Sequence, residues 1–161
     1  MRIAFAADHA GAAFKDELLA KLEGLTAGEH ELIDLGGDGS DPQDDYPDFA
    51  WLVGQAIQTG HADRGILVCG SGVGASIAVN KMRGVRAGLC HDAYSAHQGV
   101  EHDDMNVLCL GAQIIGPELA LELVSTYLAA RFLGEEKYRR RLTKIEALER
   151  EAKHTGKREG T

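Results

Sequence analysis

Five short apolar runs alternate along the chain with longer segments whose apolar positions recur at helical spacing. The runs are Ile3 to Ala7, His30 to Leu35, Gly65 to Cys69, Val85 to Cys90 and Asn106 to Leu110. Each is short and bounded by glycine or polar residues, which predicts β-strands. Between them, Phe14, Leu18, Leu19 and Leu22 share a helical face, and Phe49, Leu52, Val53, Ala56 and Ile57 form an i, i+3, i+4, i+7, i+8 set. Gly24 and Gly28 close the first helix, and Pro47 starts the second. Further helices are expected from about Ala75 to Met82, from near His91-Asp92, and from Gly116-Pro117 through Leu133.

Strands that alternate with helices imply parallel pairing through right-handed crossovers. The expected fold is α/β: a single-domain three-layer α/β/α sandwich with a five-stranded, mainly parallel Rossmann-like sheet and a C-terminal helical extension. That extension, Glu135 to Lys153, is highly charged and carries one narrow apolar stripe, Tyr138, Leu142, Ile145 and Leu148. A stripe of this width suits a neighbour or a partner subunit. The domain is expected to span residues 1–150, with 151–161 a polar, disordered tail.

In such sheets ligands bind beyond the carboxyl ends of the strands. Asp8-His9, Cys69 to Gly74, His91 and Gly111 all fall at strand ends, so the fold brings them to one rim. Among them, Cys69-Gly70-Ser71-Gly72-Val73-Gly74 runs from a strand through a glycine-rich turn into a helix. Such turns face ligands with backbone N–H groups and the positive end of a helix dipole, a field that also lowers a thiol pKa. The turn is neither G-x-G-x-x-G nor a P-loop, because no Lys-Ser or Lys-Thr follows Gly74. The bland alternative is a tight turn beside a small buried cysteine.

Composition removes several function classes. The chain has 161 residues and a formal net charge of −8, which disfavours nucleic acid as a partner. No apolar run approaches the roughly 20 residues of a membrane span, so no membrane partner is expected. The N-terminus reads as a strand and not as a signal peptide, and a cytoplasmic location is expected. Three cysteines without close spacing suggest neither a disulfide framework nor a metal knuckle; Cys90 and Cys109 read as core residues. The acidic loop from Asp38 to Asp48 lacks EF-hand spacing. His9, His91, His97 and His102 lack the pairing of H-E-x-x-H, so no metal is expected.

Taken together, Ala7-Asp8-His9-Ala10-Gly11, Asp45-Tyr46-Pro47, the Cys69 to Gly74 turn, Asn80-Lys81, Glu101-His102-Asp103-Asp104-Met105-Asn106 and the basic segment Lys137 to Arg141 form a familiar order. Over nearly its whole length the chain resembles the ribose-5-phosphate isomerase B family, with its galactose-6-phosphate isomerase relatives. The resemblance implies aldose–ketose isomerisation of a small sugar phosphate without metal or cofactor. It also implies a homodimer, or a dimer of dimers, with active sites at the subunit interface. Ribose 5-phosphate is the foremost substrate implied; allose 6-phosphate, galactose 6-phosphate and erythrose 4-phosphate are alternatives, as is a non-catalytic sugar-phosphate-binding protein.

By the same resemblance Cys69 matches the base of the subgroup that uses cysteine, since Ala75 stands where the other subgroup has a glutamate. The backbone of Gly70, Ser71, Gly72, Val73 and Gly74 would hold the enediolate, with the Ser71 hydroxyl as a further donor. His102 matches the residue that opens the furanose ring, although Glu-His-Asp-Asp by itself reads as a solvated or capping histidine. Asp8 and His9 match contacts to the ring hydroxyls and phosphate, and Tyr46 lines the pocket. Arg141 matches a phosphate ligand. Gln113 and Lys137 stand where many relatives carry arginine, and Asp103 replaces a common asparagine. Arginine forks a phosphate where lysine is a point charge, so these departures fall on phosphate recognition.

Overall fold

A computed structural model describes residues 1–26 and 28–155. Eleven elements alternate as β1 (Arg2–Ala7), α1 (Ala12–Thr26), β2 (Glu31–Asp34), α2 (Tyr46–Gln58), β3 (Arg64–Cys69), α3 (Val73–Val79), β4 (Ala87–Leu89), α4 (Ala93–Asp103), β5 (Val107–Gly111), α5 (Pro117–Ala129) and α6 (Glu136–Thr155). The strands form one five-stranded sheet in the order β2-β1-β3-β5-β4. Every pairing is parallel, so the sheet is parallel throughout.

The central strands β3 and β5 are buried at every position, as continuous apolar runs covered on both faces should be. Alternate residues go to opposite layers. Ile3, Phe5, Ile66, Val68, Leu108 and Leu110 pack with Leu18 and Leu22 of α1, Ala96 and Val100 of α4, and Leu123 and Tyr127 of α5. Ala6, Leu67, Cys69, Val107 and Cys109 pack with Ala50 and Val53 of α2 and Ala75 and Val79 of α3. Strand order reverses between β1 and β3, so the crevice of such a sheet opens where Asp8 and Cys69 emerge.

The helix expected through Leu133 stops at Ala129. The carbonyls of Tyr127, in its last turn, and Ala130, just beyond it, are taken by the Arg64 guanidinium, and the Leu133 N–H turns to the Glu101 carbonyl at 3.1 Å. Gly134, at a φ of +65°, then lets the chain reverse into α6. The helix expected over Ala75 to Met82 starts at Val73 and ends at Val79. The fourth strand is confined to Ala87–Leu89.

The boundary expected at residue 150 falls inside α6, and residues 156–161 of the expected tail lie outside the described residues. Of the α6 stripe, Tyr138 is buried, whereas Ile145 and Leu148 are exposed. Among the described residues no helix is long and apolar enough to cross a membrane.

Candidate active site

Cys69 is the last residue of β3, the middle strand of the sheet, and is 4% exposed. Its Sγ accepts the Gly72 N–H at 3.1 Å. Gly72 has a φ of +79°, and a Cβ there would lie 2.9 Å from the Leu110 carbonyl carbon, so both conformation and space demand glycine. The turn is fixed to the segment after β5: Ala112 N–H donates to the Cys69 carbonyl and Gln113 N–H to the Gly70 carbonyl, each at 2.9 Å. The Gln113 side chain therefore lies beside Gly70. His91 joins the same rim, its Nε2 accepting the Gly111 N–H at 3.1 Å.

Ser71 is exposed, and its Oγ accepts the Val73 N–H at 3.3 Å. Tyr46, first residue of α2, lays its ring over Gly74: a Cβ at Gly74 would sit 2.7 Å from the Tyr46 Cζ. The first-turn N–H groups of α3 have no partner within their own helix, as at any helix start. Ala75 is fully buried and carries nothing that takes a proton.

Asp8 and His9 leave β1 next to this turn, with the Asp8 N–H donating to the Val68 carbonyl at 3.4 Å. Asp8 is buried, and its Oδ1 accepts the Gly11 N–H at 3.1 Å. Desolvation pushes the Asp8 carboxyl above the usual range, against the opposing pull of the Gly11 N–H. The His9 backbone N–H and Nδ1 both contact Asp44 Oδ1, at 2.9 and 2.6 Å. That hydrogen bond raises the His9 pKa above the ordinary histidine value.

The remaining expected site residues form a second group. α4 starts at the carboxyl rim, where Asp92 caps it through the Ser95 N–H at 2.7 Å, and runs back against the strand direction. Its end, with His102 and Asp103, lies at the amino end of the sheet, beside the start of β5; Val107 there pairs with Gly65, the far end of β3 from Cys69. Eleven residues of helix span about 15 Å, so one chain holds His102 and Cys69 at opposite edges.

Around His102, Gln98 Nε2 lies 2.6 Å from Nδ1 and the Tyr138 hydroxyl 2.7 Å from Nε2. Lys137 Nζ and the Arg141 guanidinium approach the Tyr138 ring to 4.6 and 5.8 Å. The lysine also pairs with Glu135 at 3.0 Å. Arg139 is drawn away to the Gly134 carbonyl at 2.5 Å and does not join this group. Asp103 is exposed and borders a cavity of about 430 Å³ between α6 and the edge strand β4.

Three contributors were not singled out from the sequence. Asp44 and Gln98 act through contacts, and Tyr138 was expected only as part of a packing stripe. For Gln98 a local signal exists, its i, i+4 relation to His102 on α4. Burial lifts the Cys90 thiol to about 11 and raises that of Cys109 further, in line with core positions. Among the described residues, no three His, Cys, Asp or Glu side chains converge in a metal-binding group.

Residues 3–145 match the family model described as Ribose/Galactose Isomerase. The chain is 42% identical to ribose-5-phosphate isomerase B of Escherichia coli over 148 residues, covering 92% of this chain and 96% of that protein. It is 40% identical to D-erythrulose-4-phosphate isomerase of Pectobacterium atrosepticum over 136 residues, 83% of this chain and 86% of that one. The structure of Clostridium thermocellum ribose-5-phosphate isomerase B superposes with a TM-score of 0.86 at 40% identity, covering 94% of this chain and 99% of that chain. The central strand that ends in Cys69, its glycine turn and the whole parallel sheet thus sit in a chain that belongs to the ribose/galactose isomerase family and is an aldose–ketose isomerase.

Proposed function

We propose that the protein interconverts ribose 5-phosphate and ribulose 5-phosphate through an enediolate, with Cys69 as the base and His102 as the residue that opens the sugar ring. The observation that carries this reading is the Cys69 sulfur, held at the end of the central strand against the Gly72 N–H at 3.1 Å. A thiolate is the basic form of cysteine, and this sulfur stands where a strand end meets a helix start.

In the forward direction His102 passes the proton of the C1 hydroxyl to the ring oxygen as the C1–ring oxygen bond breaks, which leaves a carbonyl at C1. The Gln98 amide at Nδ1 and the Tyr138 hydroxyl at Nε2 hold the ring in place for this exchange. Cys69 then takes the proton from C2. The electron pair forms the C1–C2 double bond and charge moves to O1, which the turn from Gly70 to Gly74 receives. Return of the proton to C1, with transfer of the O2 proton to O1, leaves a hydroxyl at C1 and the carbonyl at C2. On the Cys69 side, Asp8 and Tyr46 border the sugar and His9 and Gln113 face its phosphate. On the His102 side, Asp103 meets hydroxyls and Lys137 and Arg141 supply cations.

One chain separates those two sides by about 15 Å along α4, more than a pentose phosphate can bridge while touching both reacting groups. The reading therefore requires a homodimer, or a dimer of dimers, in which the His102 side of one subunit completes the Cys69 side of another. Exposed Val73, Ile77, Leu89 and Tyr94 beside the Cys69 rim give such a contact apolar surface.

The likeness to a D-erythrulose-4-phosphate isomerase supports a second substrate, a four-carbon sugar phosphate that needs no furanose opening. A panel of aldose phosphates assayed with the wild type and Cys69→Ala tests the reading. Turnover of ribose 5-phosphate that disappears in the variant is expected, and undiminished turnover in Cys69→Ala would remove the proposed base.

A further inference from the structure

Between β2 and α2 the chain makes a loop that is held firmly against the carboxyl rim. The Leu35 N–H donates to the Phe5 carbonyl at 2.8 Å and the Ala7 N–H to the Gly36 carbonyl at 3.2 Å. Lys15, buried in α1, grips Asp34 at the loop's start at 2.6 Å. Gly37 packs so closely on the Ala7 carbonyl that no side chain fits there. At the end of this loop stands Asp44, whose Oδ1 takes both the backbone N–H and the Nδ1 of His9.

A carboxylate oxygen only accepts, so in this arrangement the His9 Nδ1 carries a proton in either charge state of the ring. Nε2 is then the nitrogen left for a ligand, and the His9 side chain is 39% exposed. Protonated, the ring offers Nε2–H as a donor. Neutral, it turns a lone pair to the same place, which repels an anionic oxygen. Phosphate binding at His9 is therefore conditional on the imidazolium.

We propose that Asp44 is a positioning residue for the phosphate end of the site: it orients His9 and sets a carboxylate against Nδ1, so that Nε2–H of the imidazolium is the charged phosphate donor on the Cys69 side. This rests on the reading of His9 as facing the phosphate. Gln113 beside Gly70 contributes only a neutral amide on that side, which leaves the charge to the histidine. The charged groups acting on His9 are Asp44 and its neighbour Asp8. The Asp44 hydrogen bond is the largest influence and raises the His9 pKa; partial desolvation opposes it. Asp8 adds less, and its own burial pushes it toward the neutral form.

Asp44→Asn is a selective probe, because its side-chain oxygen retains both hydrogen bonds while the charge is lost. Asp44→Ala removes charge and orientation together. NMR titration of the His9 ring in the full-length protein, with inorganic sulfate as a probe that stays dianionic over the range, reads both effects without turnover. In Asp44→Asn the ring loses its proton at lower pH. Sulfate binding at pH 7.5 weakens by at least about threefold, because less of the ring is protonated there than in the wild type. At pH 5.5, where both rings are charged, Asp44→Asn matches the wild type and Asp44→Ala still binds more weakly. A ring that titrates as in the wild type, or sulfate affinity at pH 7.5 that does not change, overturns the proposal. Isomerase assays fail or succeed separately: absent turnover beside Asp44-dependent sulfate binding would refute the isomerase reading alone.

Discussion

Tyr138 stacks on His102 with ring centroids 4.2 Å apart, planes within 17° of parallel, and its hydroxyl 2.7 Å from Nε2. The first helical turn of α6 thereby fixes the proposed ring-opening group. Tyr138→Phe keeps the stack and removes the hydroxyl. It is predicted to cost about 1 kcal/mol of stability, the usual net value of a hydrogen bond, and to slow a furanose phosphate more than an open-chain tetrose phosphate. Denaturant unfolding and a two-substrate assay check this; equal slowing of both sugars would contradict the ring-opening role.

His102→Asn removes the proposed ring-opening group itself and is expected to act in the same direction but more strongly. Loss of a general acid typically costs 10²- to 10⁴-fold, and that loss should be confined to the cyclic substrate. Comparison of kcat/KM for the two sugars measures it.

At Gly72 two constraints coincide, the φ of +79° and the 2.9 Å approach to the Leu110 carbonyl carbon. Gly72→Ala is predicted to lower stability by about 1–3 kcal/mol, as strained backbone positions do. It should also reduce turnover, because the Gly72 N–H that meets Cys69 Sγ must move. Thermal unfolding and kcat together test it, and a variant as stable and active as the wild type would refute the turn geometry.

The central strand and its turn were legible in the sequence because each signal there is local. Six buried residues run into alternating glycines, and Tyr46 and Gly74 need no more than helix starts to find the rim. Distant contacts were not legible. The end of α5 depends on Arg64, which lies more than sixty positions earlier, and Asp44 meets His9 across a separation of 35 residues. The helix after His91-Asp92 was expected to be short, from a pattern with few apolar positions; α4 runs eleven residues and carries His102 to the opposite edge. Ile145 and Leu148 fit a packing stripe by spacing, yet among the described residues both stay exposed.

Asp8 links function to stability. Its folded-state pKa is raised by burial, so the favourable contribution of its neutral form is fully present below the unfolded value and lost as pH rises through the folded one. Asp8→Asn retains an oxygen for the Gly11 N–H and carries no charge. The variant is predicted to be more stable than the wild type at neutral pH, with the difference vanishing in acid, while activity falls. Urea unfolding at pH 3.5 and pH 7 measures this; a variant less stable at pH 7 would contradict the desolvation argument.

Subunit mixing tests the central claim most directly, because the account divides each active site between the Cys69 side of one chain and the His102 side of another. Cys69→Ala and His102→Asn proteins, each inactive on ribose 5-phosphate alone, are unfolded together and refolded as a mixture. Random pairing in a twofold dimer puts one intact site in each mixed dimer, which predicts recovery of about a quarter of wild-type activity. A mixture as inactive as its two components would contradict the account.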